Sequence, residues 1–451
     1  MKIALFFICL LAVLIFGLPF VARGDGTVSG AIQAFLAYSL SAVSFLLALL
    51  TLFMSRSLSD ELAQRQIFFL MTKPLPRWQY VLGKWLGIVL FDALLLVLAG
   101  AGIYGMARYI AVRQAPRDVV DRQKLMDQVF SARHQAAVEM PATVFDREAR
   151  AAYDRRREEG YYANRIDVNE KMEIALLRLE IEQHWRNIGP GDSRELLFRN
   201  VRCDRSPEKS IQIRYKAMAP NYPPDEVVRS LWVVGDPDQV RPYVEFRRDV
   251  HDRYHTFSVP ADTVAEDHTL RIQLVNHASF IVDPEHPYDD VRPFIIRLEP
   301  TPAVEVMFGI GSFAGNLLRV LSLILFKLMF LAALGLAATT VFSFPVAILV
   351  SLTVYVLAEF RGFIGESVQY LSADGLEGMF QAGFGLALRV ILFVIPNFPF
   401  FDAVDTFVDG RNVTLMWVLQ GLGMLAVVQT GIVLLAACLM FHFREVSEVS
   451  I

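Results

Sequence analysis

Cysteine is scarce in this 451-residue chain: three in all, far apart. Cys9 and Cys438 fall in apolar runs and Cys203 stands alone between them, which excludes a disulfide-stapled fold. Cys203 is either buried and inert or paired between chains, and burial is the favoured reading. A phosphate-cradling Walker sequence is also missing. Gly83-Lys84 has no glycine five residues earlier and no Ser or Thr after it. If ATP is used, a separate subunit is expected to hydrolyse it, with this chain itself no enzyme and no cofactor bound to it. Gly and Pro, at 27 and 21, follow no strict period, so a collagen-like chain is excluded. Net charge is only −4, and 54% of residues are hydrophobic, which excludes a disordered chain. No nucleic-acid partner is expected.

Charge is nearly absent from long stretches. Residues 113–305 hold 29 of the 43 basic and 34 of the 47 acidic side chains. The remainder contains six apolar runs: Ile3 to Ala22, Ala31 to Met54, Trp85 to Ala107, Phe313 to Thr339, Pro345 to Phe360 and Met416 to Phe441. Runs of this length are what a bilayer demands and a soluble core does not. The first run resembles a signal peptide in its basic start, but it is longer than a usual apolar centre and lacks an A-x-A site, so it reads as a retained span. A seventh stretch, 382–401, is broken by Pro396 and Pro399 and carries Arg389. It reads as a re-entrant or interfacial segment.

The expectation is a membrane α-helical protein with six transmembrane helices in two groups of three, 1–112 and 306–451. A large α+β insert, 113–305, lies between spans three and four. Orientation follows from the loop 55–84, where Arg56, Arg65, Lys73, Arg77 and Lys84 face only Asp60 and Glu61. Basic short loops stay cytoplasmic. Both termini are then cytoplasmic and the insert is outside.

Within the insert, 117–186 reads as helical. Ile174, Leu177, Ile181 and Trp185 recur at helical spacing before Gly189-Pro190-Gly191 stops the helix. From 195 to 300 the pattern changes to short period-2 runs at 210–215, 231–234, 256–259, 270–275 and 294–298, which predict an antiparallel β-sandwich. Such a sandwich could bind an extracytoplasmic protein or carbohydrate, but a spacer or docking role is the simpler reading. His251 and His255 lie in a strand-like stretch, where that spacing is too wide to share one ion, so no metal site is expected. Asp283, Glu285, His286, Asp289 and Asp290 lack the ordered spacing of a calcium loop and read as a polar loop.

In the 55–84 loop, Ser59 can cap a helix whose first turn holds Asp60 and Glu61, with Leu62, Ile67, Phe68, Leu70 and Met71 as its apolar side. Lys73-Pro74-Leu75-Pro76 breaks it. Intramembrane charge is expensive without a partner. Asp92 lies about 10 Å and Lys327 about 18 Å from the cytoplasmic face at 1.5 Å per residue, and a Lys side chain can reach several ångströms toward the interface, so the two can pair, either lining a path or packing helices. Glu359, Arg361, Glu366 and Arg389 gather near the outer ends of the last spans, as a solvated rim or an exit vestibule.

These residues resemble the permease subunits of ABC-2 type transporters. That family's Glu-bearing helix followed by Lys-Pro-x-x-Arg-x-x-Tyr-x-x-Gly-Lys is matched by Lys73, Pro74, Arg77, Tyr80, Gly83 and Lys84. Asn316 and Arg319 at the start of span four, its end at Thr339 to Phe344, Ile395-Pro396-Asn397-Phe398 and Phe441-His-Phe-Arg-Glu445 extend the likeness. The flavour is nearest the group associated with multi-copper enzyme maturation. The long insert departs from the compact family pattern.

The resemblance implies a permease subunit in the cytoplasmic (inner) membrane of a prokaryote. A separate ABC ATPase subunit would bind ATP and Mg, and a second permease chain, identical or related, would complete the assembly. Asp60, Glu61, Arg65, Lys73, Pro74, Arg77, Tyr80, Gly83 and Lys84 would form the ATPase-coupling region. Strongly apolar spans favour export of a lipid-linked or amphipathic substrate over a hydrophilic solute. Two rivals remain: a mechanical transmitter that moves its outer domain without transport, and an ATP-independent membrane-anchored binding or assembly protein.

Overall fold

The computed structural model describes residues 2–21, 26–63, 76–114, 119–162, 169–206, 209–220, 226–236, 242–277, 294–298, 303–363 and 395–443. Two compact units emerge, Met1–Ala132 with Gly311–Ile451, and Arg133–Ile310.

In the first unit, the apolar runs become helices α1 (Lys2–Val21), α2 (Val28–Met54), α3 (Arg56–Ala63), α4 (Arg77–Arg113), the short α5 (Val119–Lys124), α8 (Phe313–Val341), α9 (Phe344–Glu359), α10 (Val404–Val408) and α11 (Leu415–Phe443). Among the described residues, four helices are long and apolar enough to cross a bilayer: Val28–Glu61, which joins α2 to α3, together with α4, α8 and α11. The other two expected spans are represented by shorter apolar helices, Leu5–Pro19 and Phe344–Glu359. Most of the 382–401 stretch lies outside the described residues.

Caps show why these helices start where they do. Thr27 accepts from the Gly30 amide, and the Asp121 carboxylate accepts from the amides of Val28 and Ser29 at 2.9 and 3.2 Å. A carboxylate suits the positive end of a helix. This contact ties the segment after α4 to α2, so the first unit extends to 132 rather than ending at 112. α8 begins at Ser312, whose hydroxyl accepts from Gly315. Within α11, Leu422–Gln429 is wound as π-helix, and the Thr430 hydroxyl donates to the Leu425 carbonyl at 2.7 Å. Gly335 of α8 sits where a Cβ would come within 3.0 Å of the Ser55 Cβ, so the lack of a side chain lets α8 approach the α2–α3 junction.

The second unit is a β-rich domain with two helices. These are α6 (Ala142–Glu158) and α7 (Glu170–Arg186), packed through Ala149, Tyr153 and Leu177. α7 carries the helical spacing of Ile174, Leu177, Ile181 and Trp185, and Asn169 caps it. The rest of 117–186 is not uniformly helical, because β1 (Ser131–Ala137) interrupts it. Its strands are β2 (Asn187–Ile188), β3 (Ser193–Phe198), β4 (Ser210–Met218), β5 (Val227–Val234), β6 (Tyr243–Val250), β7 (Tyr254–Pro260), β8 (Leu270–Asn276), β9 (Ile296–Leu298) and β10 (Val304–Ser312).

One sheet runs β1-β10-β4-β9-β2 with β7 on the other edge of β4; the second runs β3-β8-β5-β6. Every recorded register is antiparallel. β5 alternates buried with half-buried positions and β8 mostly buried with exposed ones, as a sheet with one better-covered face does. The core between them includes Trp232, Phe198, Tyr215, Ile213, Ile272 and Phe308. β10 carries the domain past 305 to 310, because its buried start, Val304 to Phe308, runs on toward the apolar span that follows.

Candidate functional site

The expected coupling region is built on one face of α4. Pro76 precedes its first turn in an extended conformation and fixes the start. Positions 77, 80 and 84 then fall at helical i, i+3, i+7 spacing, so Arg77, Tyr80 and Lys84 share a face. Glu61, near the end of α3, accepts from the Tyr80 hydroxyl and, at 2.5 Å, from Lys84 Nζ. Both charged side chains are about three-quarters buried. Arg77 donates to the carbonyl oxygens of Phe441 and His442 at 3.4 and 2.7 Å, and the Tyr80 ring stacks on Phe441 at 6.0 Å. A guanidinium beside the last carbonyls of a helix satisfies groups with no intrahelical donor.

This alters the expected picture in one respect. Ser59 does not cap a helix, since α3 already begins at Arg56 as a near-continuation of α2. Glu61, Tyr80 and Lys84 are turned toward one another, which ties α3 to α4. Asp60 stays half-exposed and pairs with Arg56 at 3.0 Å. Gly83 lies in α4 with open space around it. Arg65, Lys73 and Pro74 lie outside the described residues.

Asp92 and Lys327 do not pair with each other. Asp92, fully buried in α4, meets the Thr51 hydroxyl of α2 at 2.8 Å. Lys327 forms an ion pair with Glu359 at the end of α9, and its ammonium lies 5.2 Å from the Tyr355 ring centroid and 4.8 Å from that of Phe398. Helix phase explains the difference. α8 meets α4 through Leu325, Met329, Ala332 and Leu336, and Trp85 of α4 donates to the Met329 carbonyl at 3.0 Å. Lys327 is two residues from both 325 and 329, about 200° around the helix from each.

At the start of α8, Asn316 donates to the Arg411 carbonyl and accepts from the Val413 amide, both at 2.8 Å. Arg319 donates to Asn412 Oδ1 at 2.6 Å and to the Val413 carbonyl at 2.9 Å. These two side chains hold the loop that leads into α11. Arg361 follows α9, and Glu366 and Arg389 lie outside the described residues.

In the second unit, His251 and His255 flank a hairpin turn in which Asp252 has φ of 59°. His255 Nε2 meets the Val250 carbonyl at 2.8 Å and Nδ1 lies 3.5 Å from Asp249. Among the described residues, no group of three or more His, Cys, Asp or Glu is placed to hold a metal ion. The 283–290 cluster lies outside them.

Asp249 forms the centre of a polar cluster at this edge. Arg247 donates to it twice, at 2.9 and 3.0 Å, and the Tyr215 hydroxyl donates as well. Burial alone would raise the Asp249 carboxyl, but these donors outweigh it and hold the group below the usual range. Burial and the adjacent carboxylate push the Tyr215 phenol up. Cys203 is half-buried, and burial raises its thiol, as an inert cysteine requires.

Sequence reasoning missed Thr51, Glu359 and Phe398 as the partners of the intramembrane charges. The signal for Glu359 was present, since a carboxylate closing an apolar run needs a cation in reach.

Residues 3–140 match the family model described as ABC-2 family transporter protein. The match takes in α1 to α4 and covers a little under a third of the chain. No curated protein and no solved structure matches.

Proposed function

We propose that this chain, an ABC-2 type permease by its match over residues 3–140, is the transmembrane subunit of an ATP-driven transporter whose ATP is hydrolysed by a separate ABC ATPase subunit. That match carries the reading. The geometry supports it in one respect: the α3–α4 segment is braced to the end of α11 through Glu61, Lys84 and Arg77. A push on α3 or α4 is therefore shared with the end of α11. The α3–α4 end is cytoplasmic on this reading, with both termini, and the 133–310 unit is outside. A second permease chain, identical or related, completes the assembly in a prokaryotic inner membrane. The cargo is lipid-linked or amphipathic, because the described spans are strongly apolar and a hydrophilic solute would find little to replace its water.

Affinity purification of tagged full-length protein in mild detergent, with mass spectrometry and an ATPase assay, tests this. A stoichiometric nucleotide-binding subunit, weakened by Asp60→Lys or Arg65→Glu, is expected. Recovery without any ATPase across several detergents would replace the reading with a membrane-anchored binding or assembly protein.

The second unit has its own two-sheet core, more structure than a translocation path requires. This favours the mechanical transmitter as the second reading. ATP-dependent change in the protease sensitivity of residues 133–310, without flux of a fluorescent lipid in liposomes, would select it.

A further inference from the structure

Thr51 has one hydroxyl proton and two close oxygen neighbours. Its Oγ1 lies 2.7 Å from the Leu47 carbonyl oxygen and 2.8 Å from Asp92 Oδ2. The carbonyl can only accept. The hydroxyl proton therefore goes to Leu47, the usual back-bond of a helical threonine. The contact to Asp92 then needs a proton from the other side, and only a protonated carboxyl supplies one. Two further observations agree. Asp92 is fully buried, and its Oδ1 has no hydrogen-bond partner among the described residues. An ionised carboxylate would leave that oxygen's charge uncompensated in apolar surroundings, whereas the carbonyl oxygen of a neutral acid tolerates it far better.

The helices packed against α4 are α1, α2, α8 and α11. Their described charged or titratable side chains are Cys9, Tyr38, Arg319, Lys327, Cys438 and His442. Cys9 and Tyr38 are exposed, and Cys438 and His442 lie at the Arg77 end of α11. Arg319 is engaged by Asn412 and Val413, and Lys327 by Glu359. On α4 itself, Lys84 is engaged by Glu61, Arg77 by the end of α11, and Arg108 and Arg113 stack on Phe130 and Tyr109. None of these is a counter-ion for Asp92.

We infer that Asp92 is a proton-binding site: a neutral carboxylic acid that donates to Thr51 and holds α2 against α4. Parting of the two helices at this level admits water, and the acid loses its proton to it. Closure takes one proton back. Each opening and closing of the α2–α4 contact thus exchanges a single proton, independently of any ATPase subunit.

Infrared difference spectroscopy of the full-length protein in detergent at neutral pH tests the inference. Asp92→Asn is suited to the comparison because its amide N–H can donate to Thr51 in the same geometry. Wild type minus Asp92→Asn is expected to show the carbonyl stretch of one protonated carboxyl. Carboxylate bands in its place would overturn the inference. Thr51→Val, which removes the acceptor, is expected to keep that stretch and shift it to higher frequency. The exchange is read separately from thermal unfolding. A native state that holds a proton the unfolded state has released loses stability as pH rises. The unfolding midpoint of wild type should fall relative to Asp92→Asn from mildly acidic to alkaline pH. Parallel pH profiles would overturn the exchange.

Discussion

Arg77 in the first turn of α4 donates to the His442 carbonyl at 2.7 Å, near the end of α11. The beginning of one membrane helix is thereby fastened to the end of another, far away in sequence. Tyr80 stacked on Phe441 adds an apolar contact one turn further along.

Arg77→Ala should remove this fastening without disturbing the α4 interior. Hydrogen bonds to a charged donor contribute about 1.5–3 kcal/mol when shielded, and this one is partly open to solvent, so a loss of about 1 kcal/mol is expected. Thermal unfolding in detergent would show it as a lowered midpoint. The same variant should also lower ATP-stimulated activity if the brace transmits force.

Lys327 and Glu359 predict a different pattern. Breaking a buried pair leaves one charge uncompensated, and the cost reaches about 3–5 kcal/mol when burial is complete. Here the side chains are 15% and 32% exposed, so Lys327→Met should cost nearer 2 kcal/mol. Adding Glu359→Gln should recover most of it. Asp92→Asn should be additive with Lys327→Met, since the two residues have separate partners. A rescue of one by the other in a double-mutant cycle would contradict the contacts described.

How much of this was legible beforehand depended on the length scale of the signal. The apolar runs located five of the helices to within a few residues, because bilayer thickness imposes a long uniform pattern, while α4 starts at Arg77 and ends at Arg113, well outside its run of Trp85 to Ala107. The strands around Ile213, Trp232, Phe257 and Ile272 followed from period-2 alternation. β1 was missed because Ser131–Ala137 has no β-branched residue, and β10 because its strand pattern merges with span four. β6 escaped notice because Glu245, Arg247 and Asp249 make it look like a polar loop. Of the candidate site, the spacing of Arg77, Tyr80 and Lys84 was readable. Which way Glu61 faces was not, because that depends on α3 continuing α2. The partners of Asp92 and Lys327 were set by helix phase, which depth alone does not reveal.

The Asp249 cluster predicts acid sensitivity of the second unit. Its folded carboxyl lies below the ordinary value, so its contribution is complete above the unfolded pKa of about 4. That contribution is lost as pH falls through the folded value. Near-ultraviolet circular dichroism of the full-length protein should report loosening around Trp232, which lies 4.5 Å from Tyr215. Asp249→Asn should be less stable at neutral pH and flatter in its acid response.

Gly335 predicts a steric limit. A methyl there would meet Ser55 at 3.0 Å, which small shifts can absorb, so Gly335→Ala should be mild. Gly335→Val adds bulk that cannot be absorbed, and overpacking of this kind costs about 1–3 kcal/mol. The expected readout is a lowered unfolding midpoint, relieved in part by Ser55→Gly.

The π-helical stretch Leu422–Gln429 acts as an angular offset in the last membrane helix. Each residue of an α-helix turns it by about 100°, and the wide turns absorb an extra residue, so everything beyond is offset by about that amount from where ordinary winding of the same residues would place it. The half of α11 that faces Leu323 and Phe326 through Gly421 is indexed separately from the half that presents Phe441 and His442 to α4. Removing one residue between 422 and 429 would let this stretch revert to ordinary helix and leave Phe441 facing Tyr80, whereas winding the same residues as ordinary helix would swing Phe441 away by about 100°. Such a helix works like a key whose bit and bow are cut at a fixed twist, and its fit at one end is set by winding at the other.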